Sequence, residues 1–187
     1  VGENGAGKST LGKVISGVIS PDGGELIVDG TPVHFGSPRD ALVHGITTIA
    51  QEISLVQTRT VVENVFLGIE THTRSYVDRA ALRRRYAELD AEVGFGIPGS
   101  APVAALRAAE QQKVEILRAL ARQAKLIVMD EPTAALTTDE ASRLLDVVRA
   151  LRERGTTIVY VSHFLEEVLA IADDVTVLRD GQLVQST

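Results

Sequence analysis

Read for polarity alone, the chain alternates short apolar runs with longer amphipathic stretches. The runs "ITTIAQ" at 46–51, "LIVM" at 126–129 and "TIVYV" at 157–161 are strand-length and rich in β-branched residues. Such runs fit strands covered on both faces of a parallel sheet. Helical spacing fills the gaps between them. Leu11, Val14, Ile15 and Val18 fall at i, i+3, i+4 and i+7 and predict a helix with one apolar face. Leu82, Tyr86, Leu89 and Val93 share a face of a second helix, which "GFGIPGSAP" ends. "EQQKVEILRALARQ" is a third. "TTDEASRLLDVVRALRERG" is a fourth, with Thr137 and Glu140 as a capping box and Gly155 as its stop. "FLEEVLAIA" is a fifth. Leu26 to Val28 and Thr31 to Val33 read as a hairpin about Asp29-Gly30, and "DVTVLRDGQLVQS" as a closing hairpin. From about residue 60 to 123 the pattern is helical. The class is α/β: a mainly parallel sheet flanked by helices, with a helical subdomain inserted at about 52–125 and a small antiparallel β element.

Composition narrows this only a little. The 187 residues suffice for one domain with a sizeable core, and 44% hydrophobic with 24% charged residues is ordinary for a globular chain. A net charge of −6 argues against nucleic acid as a partner. With no cysteine there is neither a disulfide framework nor a thiolate metal site. No apolar run approaches the roughly 18 residues of a membrane-spanning helix.

The chemistry begins at once. In "VGENGAGKST", Gly2, Gly7, Lys8 and Ser9 fit G-x-x-x-x-G-K-[ST], the phosphate-binding P-loop. Glycines let successive backbone N–H groups turn toward phosphate oxygens, and the following helix adds its positive N-terminal end. The site therefore comprises Gly2, Glu3, Asn4, Gly5, Ala6, Gly7, Lys8, Ser9 and Thr10. Lys8 would reach the β- and γ-phosphates and Ser9 would ligate Mg²⁺. "LIVMDEPTAAL" looks like a Walker B strand, whose Asp130 emerges at the C-terminal sheet edge where ligands bind. Asp130 would hold Mg²⁺ through its water shell, and Glu131 would polarise the water that attacks the γ-phosphate. His163, after "TIVYV", reads as a γ-phosphate sensor or as a partly buried structural histidine. Gln51 reads as a contact to Mg²⁺ and the attacking water, or as a surface glutamine. His34, His44 and His72 have no metal-like spacing, and "RRR" at 83–85 is a solvated helix face.

P-loop, glutamine, "LRAAEQQKVEILRAL", "LIVMDEPTAAL" and "VSHFLEEV" stand in the order found in ATP-binding cassette (ABC) ATPases. The resemblance runs nearly from end to end. "GENGAGKSTL", "TVVENVFLG" and "AEQQKVEI" resemble the cassettes of bacterial monosaccharide importers of the ribose, xylose and galactose type. The resemblance implies a P-loop NTPase that binds ATP with Mg²⁺ and hydrolyses it to drive sugar uptake. It implies a second cassette as partner, usually fused in the same polypeptide, with this one first. It implies a transmembrane permease, a periplasmic or lipid-anchored sugar-binding protein acting indirectly, and a peripheral place on the cytoplasmic face of the cell membrane. Glu131, His163 and Gln51 would be the hydrolytic residues, and Ser9, Gln51 and Asp130 the metal contacts. The family's P-loop strand and adenine-stacking aromatic would precede Val1, so the chain is expected to be a fragment.

One motif departs from the family pattern. The signature usually reads Leu-Ser-Gly-Gly-Gln. Here Leu106, Arg107, Ala108, Ala109, Glu110 and Gln111 stand in its place, and the resemblance implies that they would face the ATP bound by the partner. Arg107 replaces a serine that would cap the following helix, at a cost of about 1 kcal/mol. It would either clamp the partner's γ-phosphate or obstruct closure. Two rival functions follow: a non-transport ABC ATPase, and a cassette paired with a degenerate ATP site.

Overall fold

The computed structural model describes residues 1–3, 5–49, 53–73 and 76–186. The expected contact Gln51, and Asn4 of the P-loop, lie outside the described residues. In chain order the elements begin α1 (Lys8–Ile15), β1 (Leu26–Val28), β2 (Thr31–Val33), α2 (Pro38–Val43) and β3 (Ile46–Ile49). Next come α3 (Val61–Val65), β4 (His72–Thr73), β5 (Tyr76–Val77), α4 (Arg79–Val93), a 3-10 turn (Val103–Ala105) and α5 (Ala108–Ala121). The chain finishes with β6 (Leu126–Asp130), α6 (Thr138–Glu153), β7 (Thr157–Val161), α7 (Leu165–Ile171), β8 (Thr176–Arg179) and β9 (Gln182–Ser186). These elements form two compact units. One combines Val1–Gln51 with Ala124–Thr187, and the other is the continuous segment Glu52–Gln123.

In the first unit β3, β6 and β7 form a parallel sheet in that order. Ile46 pairs with Leu126 and Ile49 with Met129, while Asp130 at the end of β6 pairs with Val161 of β7. β6 is therefore central, and its Ile127, Val128 and Met129 are buried. Such a strand, apolar on both faces, is what the continuous run at 126–129 encodes. α1 packs on β6 through Gly12, where an added Cβ would lie 3.3 Å from a Val128 methyl. β1 and β2 form a hairpin whose Asp29-Gly30 turn has φ of 50° and 75°. Those positive angles are what a two-residue turn demands. Phe35, Ala41 and Ile46 form a small core beneath it, with Leu26, Val28, Val33 and Leu126 packed against them.

Two local expectations differ. α1 buries Lys8 and Gly12, whereas Leu11 is 46% exposed and Val18 lies beyond the helix end. β7 is only half-buried along most of its length. The exposure of Leu11 and of β7 has one cause: a cavity of about 530 Å³ is lined by residues of both β7 and β8, among them Val1, Leu11, Gly12, Val159, Thr176 and Leu178. Among the described residues no strand pairs with the second edge of β7.

The second unit has its own core. Val61, Val65, Phe66, Val103, Val114 and Leu117 are almost fully buried there. Leu82 and Tyr86 of α4 join them, with Leu89 and Val93 packed alongside, as their shared face predicts. The Tyr86 hydroxyl donates to the Ile97 carbonyl at 2.7 Å, which satisfies its one buried polar atom. α3 opens with a capping box: Glu63 N–H donates to Thr60 Oγ1 at 3.3 Å and Thr60 N–H donates to Glu63 Oε2 at 3.0 Å. β4 and β5 form a two-stranded antiparallel ladder inside a stretch that sequence periodicity reads as helical.

Candidate functional site

The site is built at the C-terminal edge of the parallel sheet. Residues 1–3 and 5–7 lead into α1, and Gly7 starts that helix with φ of 92°, a conformation natural to glycine. Gly2 is equally constrained, because a Cβ there would collide with the Leu178 carbonyl oxygen. The first-turn N–H groups of a helix have no intrahelical acceptor, so α1 presents amide donors and the positive end of its dipole to the loop. Lys8 is 8% exposed. Its ammonium donates to the Gly2 carbonyl at 2.7 Å and the Glu3 carbonyl at 2.9 Å. The loop thus curls around its own cation.

Asp130 ends β6 and is buried. The Ser9 hydroxyl donates to Asp130 Oδ1 at 3.1 Å, bringing together two oxygen donors that are 121 residues apart in the chain. The next residue, Glu131, has φ of 47°. Left-handed backbone in a non-glycine residue costs on the order of 1–3 kcal/mol and collects at functional sites. The Glu131 N–H donates to the Val161 carbonyl at 2.8 Å, which turns the side chain out of the sheet edge. Glu131 Oε1 lies 2.9 Å from Nδ1 of His163. An ionised carboxylate only accepts, so the ring donates through Nδ1 and presents Nε2 on its other side. His163 is tilted against Phe164, with ring centroids 4.0 Å apart.

A cleft of about 350 Å³ is lined by Gly5, Gly7, Lys8, Ser9, Thr10, Glu131 and His163. Amide donors, an ammonium, two hydroxyls and a helix N-terminus suit a polyphosphate. Ser9 and Asp130 supply hard oxygens. Magnesium takes one or two such protein ligands together with substrate phosphates, so the donor set fits that ion.

The signature residues lie in the second unit, at the start of α5. Arg107 is the N-cap, and its side chain is 88% exposed. Its N–H donates to Glu110 Oε2 at 2.9 Å, and its Nε reaches the same oxygen at 3.4 Å. That backbone bond, more than the arginine charge, holds the Glu110 carboxyl below its usual range. Arginine has no acceptor, so only half of a capping box exists. Gln111 donates to the Leu106 carbonyl at 3.0 Å, fixing the turn before the helix. His34, His44 and His72 are exposed, and no His/Asp/Glu cluster suited to a metal occurs among the described residues.

Two features escaped the sequence reading. Gly181, in the turn between β8 and β9, donates its N–H to the Ala6 carbonyl at 3.3 Å and so touches the P-loop. Glu167, in the first turn of α7, gathers the hydroxyls of Thr133, Tyr160 and Ser162 on one carboxylate oxygen. The available signal was a hydroxyl residue close to each of the pair, Thr133 two positions after Glu131 and Ser162 one position before His163.

Comparison with known proteins places this geometry. The ribose import ATP-binding protein RbsA 2 of Rubrobacter xylanophilus is 49% identical over 188 aligned positions, covering 100% of this chain and 36% of the relative. The ribose import ATP-binding protein RbsA of Rhodopirellula baltica is 49% identical, covering 98% of this chain and 36% of the relative. The chain thus spans a little over a third of the length of these curated relatives. Among solved structures, the ATP-binding cassette MJ0796, dimeric in a post-hydrolysis state bound to ADP and Pi, superposes with a TM-score of 0.87. It is 25% identical and matches 100% of this chain and 82% of that one. The fold is accordingly that of a P-loop NTPase. A family model described as ABC transporter matches residues 1–134, and with it the P-loop, the α5 signature and the end of β6: the chain belongs to the ABC transporter family.

Proposed function

We propose that the chain is the ATP-hydrolysing cassette of a sugar importer. One observation carries this reading: Lys8, Ser9, Glu131 and His163 line a single cleft, with Asp130 bonded to Ser9 at its floor. In this reading the α1 amides and Lys8 bind the β- and γ-phosphates and offset their charge. Glu131 orients the attacking water and accepts its proton at a carboxylate oxygen. His163 holds that carboxylate through Nδ1 and, as an imidazolium with both ring nitrogens protonated, donates Nε2–H to the phosphoryl oxygens. Magnesium, held by Ser9 and Asp130, would neutralise charge that develops on the phosphates. Gln51 is assigned to the same metal and water. Residues Leu106 to Gln111 face the nucleotide of a second cassette, in a dimer of the kind MJ0796 forms.

The sugar assignment follows the relatives, which are ribose import ATP-binding proteins. It brings with it a membrane permease, an indirectly acting sugar-binding protein, and a place at the cytoplasmic face of the membrane. Arg107 favours one refinement, in which the partner's ATP site is the weaker of the two.

The test uses the full-length protein with any second ATP site inactivated. Lys8→Ala should weaken ATP binding at least tenfold and abolish turnover. Glu131→Gln should bind Mg-ATP within a few-fold of wild type yet turn over at least a hundredfold more slowly. Wild-type turnover by the glutamine variant would refute the role given to Glu131. Stimulation by a ribose-type sugar with permease and binding protein present tests the importer half.

A further inference from the structure

We propose that Glu167 is a positioning residue for hydrolysis: its carboxylate ties the segment following Glu131 to the segment preceding His163 and so fixes the pair across the cleft. The proposal rests on the hydrolytic reading of that pair given above.

The geometry is a single acceptor with three donors from two separate segments. Thr133 Oγ1, Tyr160 Oη and Ser162 Oγ lie 3.0, 2.9 and 3.1 Å from Glu167 Oε2. Thr133 is two residues after Glu131, and Ser162 immediately precedes His163. An ionised carboxylate only accepts, so all three hydroxyls donate, and bonds to a charged acceptor are about twice as strong as neutral ones. Burial and the neighbouring Glu167 raise the Tyr160 pKa, which keeps its hydroxyl a donor. Ser162 also accepts the Phe164 N–H at 3.0 Å, so the residues on both sides of His163 are held by the same hydroxyl. Thr133 and Ser162 are 6% and 1% exposed, which leaves these contacts little competition from water.

Glu131 shows why such a tie is needed. Its left-handed backbone persists only where the surroundings over-determine it. On the N-terminal side the hold is its N–H bond to Val161. On the C-terminal side the side-chain anchor is Thr133, and Thr133 is anchored by Glu167. None of Thr133, Tyr160, Ser162 or Glu167 lines the cleft, so Glu167 acts through other residues rather than on the nucleotide.

A purely structural role and a positioning role predict different kinetics. Loss of general stability would lower melting temperature and leave the kcat of folded protein unchanged. Loss of positioning would lower kcat and spare nucleotide affinity, because the Glu167 carboxylate bonds to Thr133, Tyr160 and Ser162 and not to a described P-loop residue. In the full-length protein, Glu167→Ala should lower kcat at least tenfold with ATP affinity within threefold of wild type. Glu167→Gln keeps an acceptor oxygen and should recover at least a third of the lost rate. A kcat within twofold of wild type in folded Glu167→Ala overturns the proposal, as does a parallel loss of affinity. If Glu167→Ala does not fold, Thr133→Val and Tyr160→Phe decide. The first should slow turnover at least fivefold with affinity kept, and the second, which removes a hydroxyl remote from Glu131 in the chain, less than twofold. Equal effects from those two overturn it. Glu131→Gln is the control. If it retains turnover, the hydrolytic reading and this proposal fall together. If it is inactive while the Glu167 variants turn over normally, only the positioning role falls.

Discussion

Arg107 shows what a single side chain changes at a helix start. In the N-cap position it cannot accept the Glu110 N–H, and its exposed guanidinium folds back on the Glu110 carboxylate instead. An exposed pair of this kind contributes little, because water screens it. A serine would restore the acceptor, worth about 1 kcal/mol, and would remove a cation from the positive end of α5. Arg107→Ser should therefore raise the melting temperature by about 2–4 °C in a protein of this size. Calorimetry decides the point, and a variant that melts no higher shows that the cap is not limiting. If arginine obstructs closure, the same variant should also speed turnover at the partner's ATP site. Slower turnover would identify Arg107 as a working phosphate clamp. The residues of the P-loop and of Asp130-Glu131 were legible in the sequence because their spacing is local and dictated by the chemistry. Glu167 was not, since positions 133, 160 and 162 meet only through the register that sets Asp130 beside Val161. The apolar stripe of α1 misled for a related reason: Leu11 lines the cavity beside β7 rather than a packed core, while Lys8 is buried by the carbonyls of its own loop.

At the scale of elements, caps and turns carried most of what the sequence could say. The Asp29-Gly30 hairpin, the Thr137 start of α6 and the run of β6 all announce themselves by residue type. β4 and β5 do not, because two-residue strands are too short for alternation to register. The α3 cap offers a test with a pH signature. Thr60 donates both its N–H and its hydroxyl to Glu63 Oε2, and these bonds hold the Glu63 carboxyl below its ordinary value of 4.5. A carboxyl depressed in the folded state stabilises fully above its unfolded pKa. That contribution is lost as pH falls through the folded pKa. Thr60→Ala should cost about 1 kcal/mol at neutral pH. The stability gap between wild type and Glu63→Gln should close in acid, below the ordinary carboxyl range, once Glu63 is protonated. Urea melts at neutral and at strongly acid pH measure both effects. A gap that persists in acid means that the Glu63 charge does not stabilise α3.

For the whole molecule, the interruption of one unit by the other was legible as a change of periodicity near residue 60, although the bounds of the helical segment were not marked by any linker. That arrangement has a consequence for how the chain comes into being. The unit at Glu52–Gln123 is continuous and is complete once its own residues have been synthesised. The other unit waits, because β3 finds its neighbour only when β6 exists, and β6 its second neighbour only when β7 exists. At a synthesis rate of about 5–20 residues per second, the delay between finishing β3 and finishing β6 is roughly 4–16 s. Throughout it Ile46 and Ile49, buried in the finished sheet, have no partner strand. Refolding from denaturant should show the same order, since closing the interrupted sheet carries the larger loop-entropy cost. Pulsed hydrogen exchange should find amides of α4 and α5 protected before those of β3 and β6, and the reverse order would contradict this account. The part of the chain written second is then the part that folds first, and the segment carrying the P-loop spends its first seconds as a dependent of sequence not yet made.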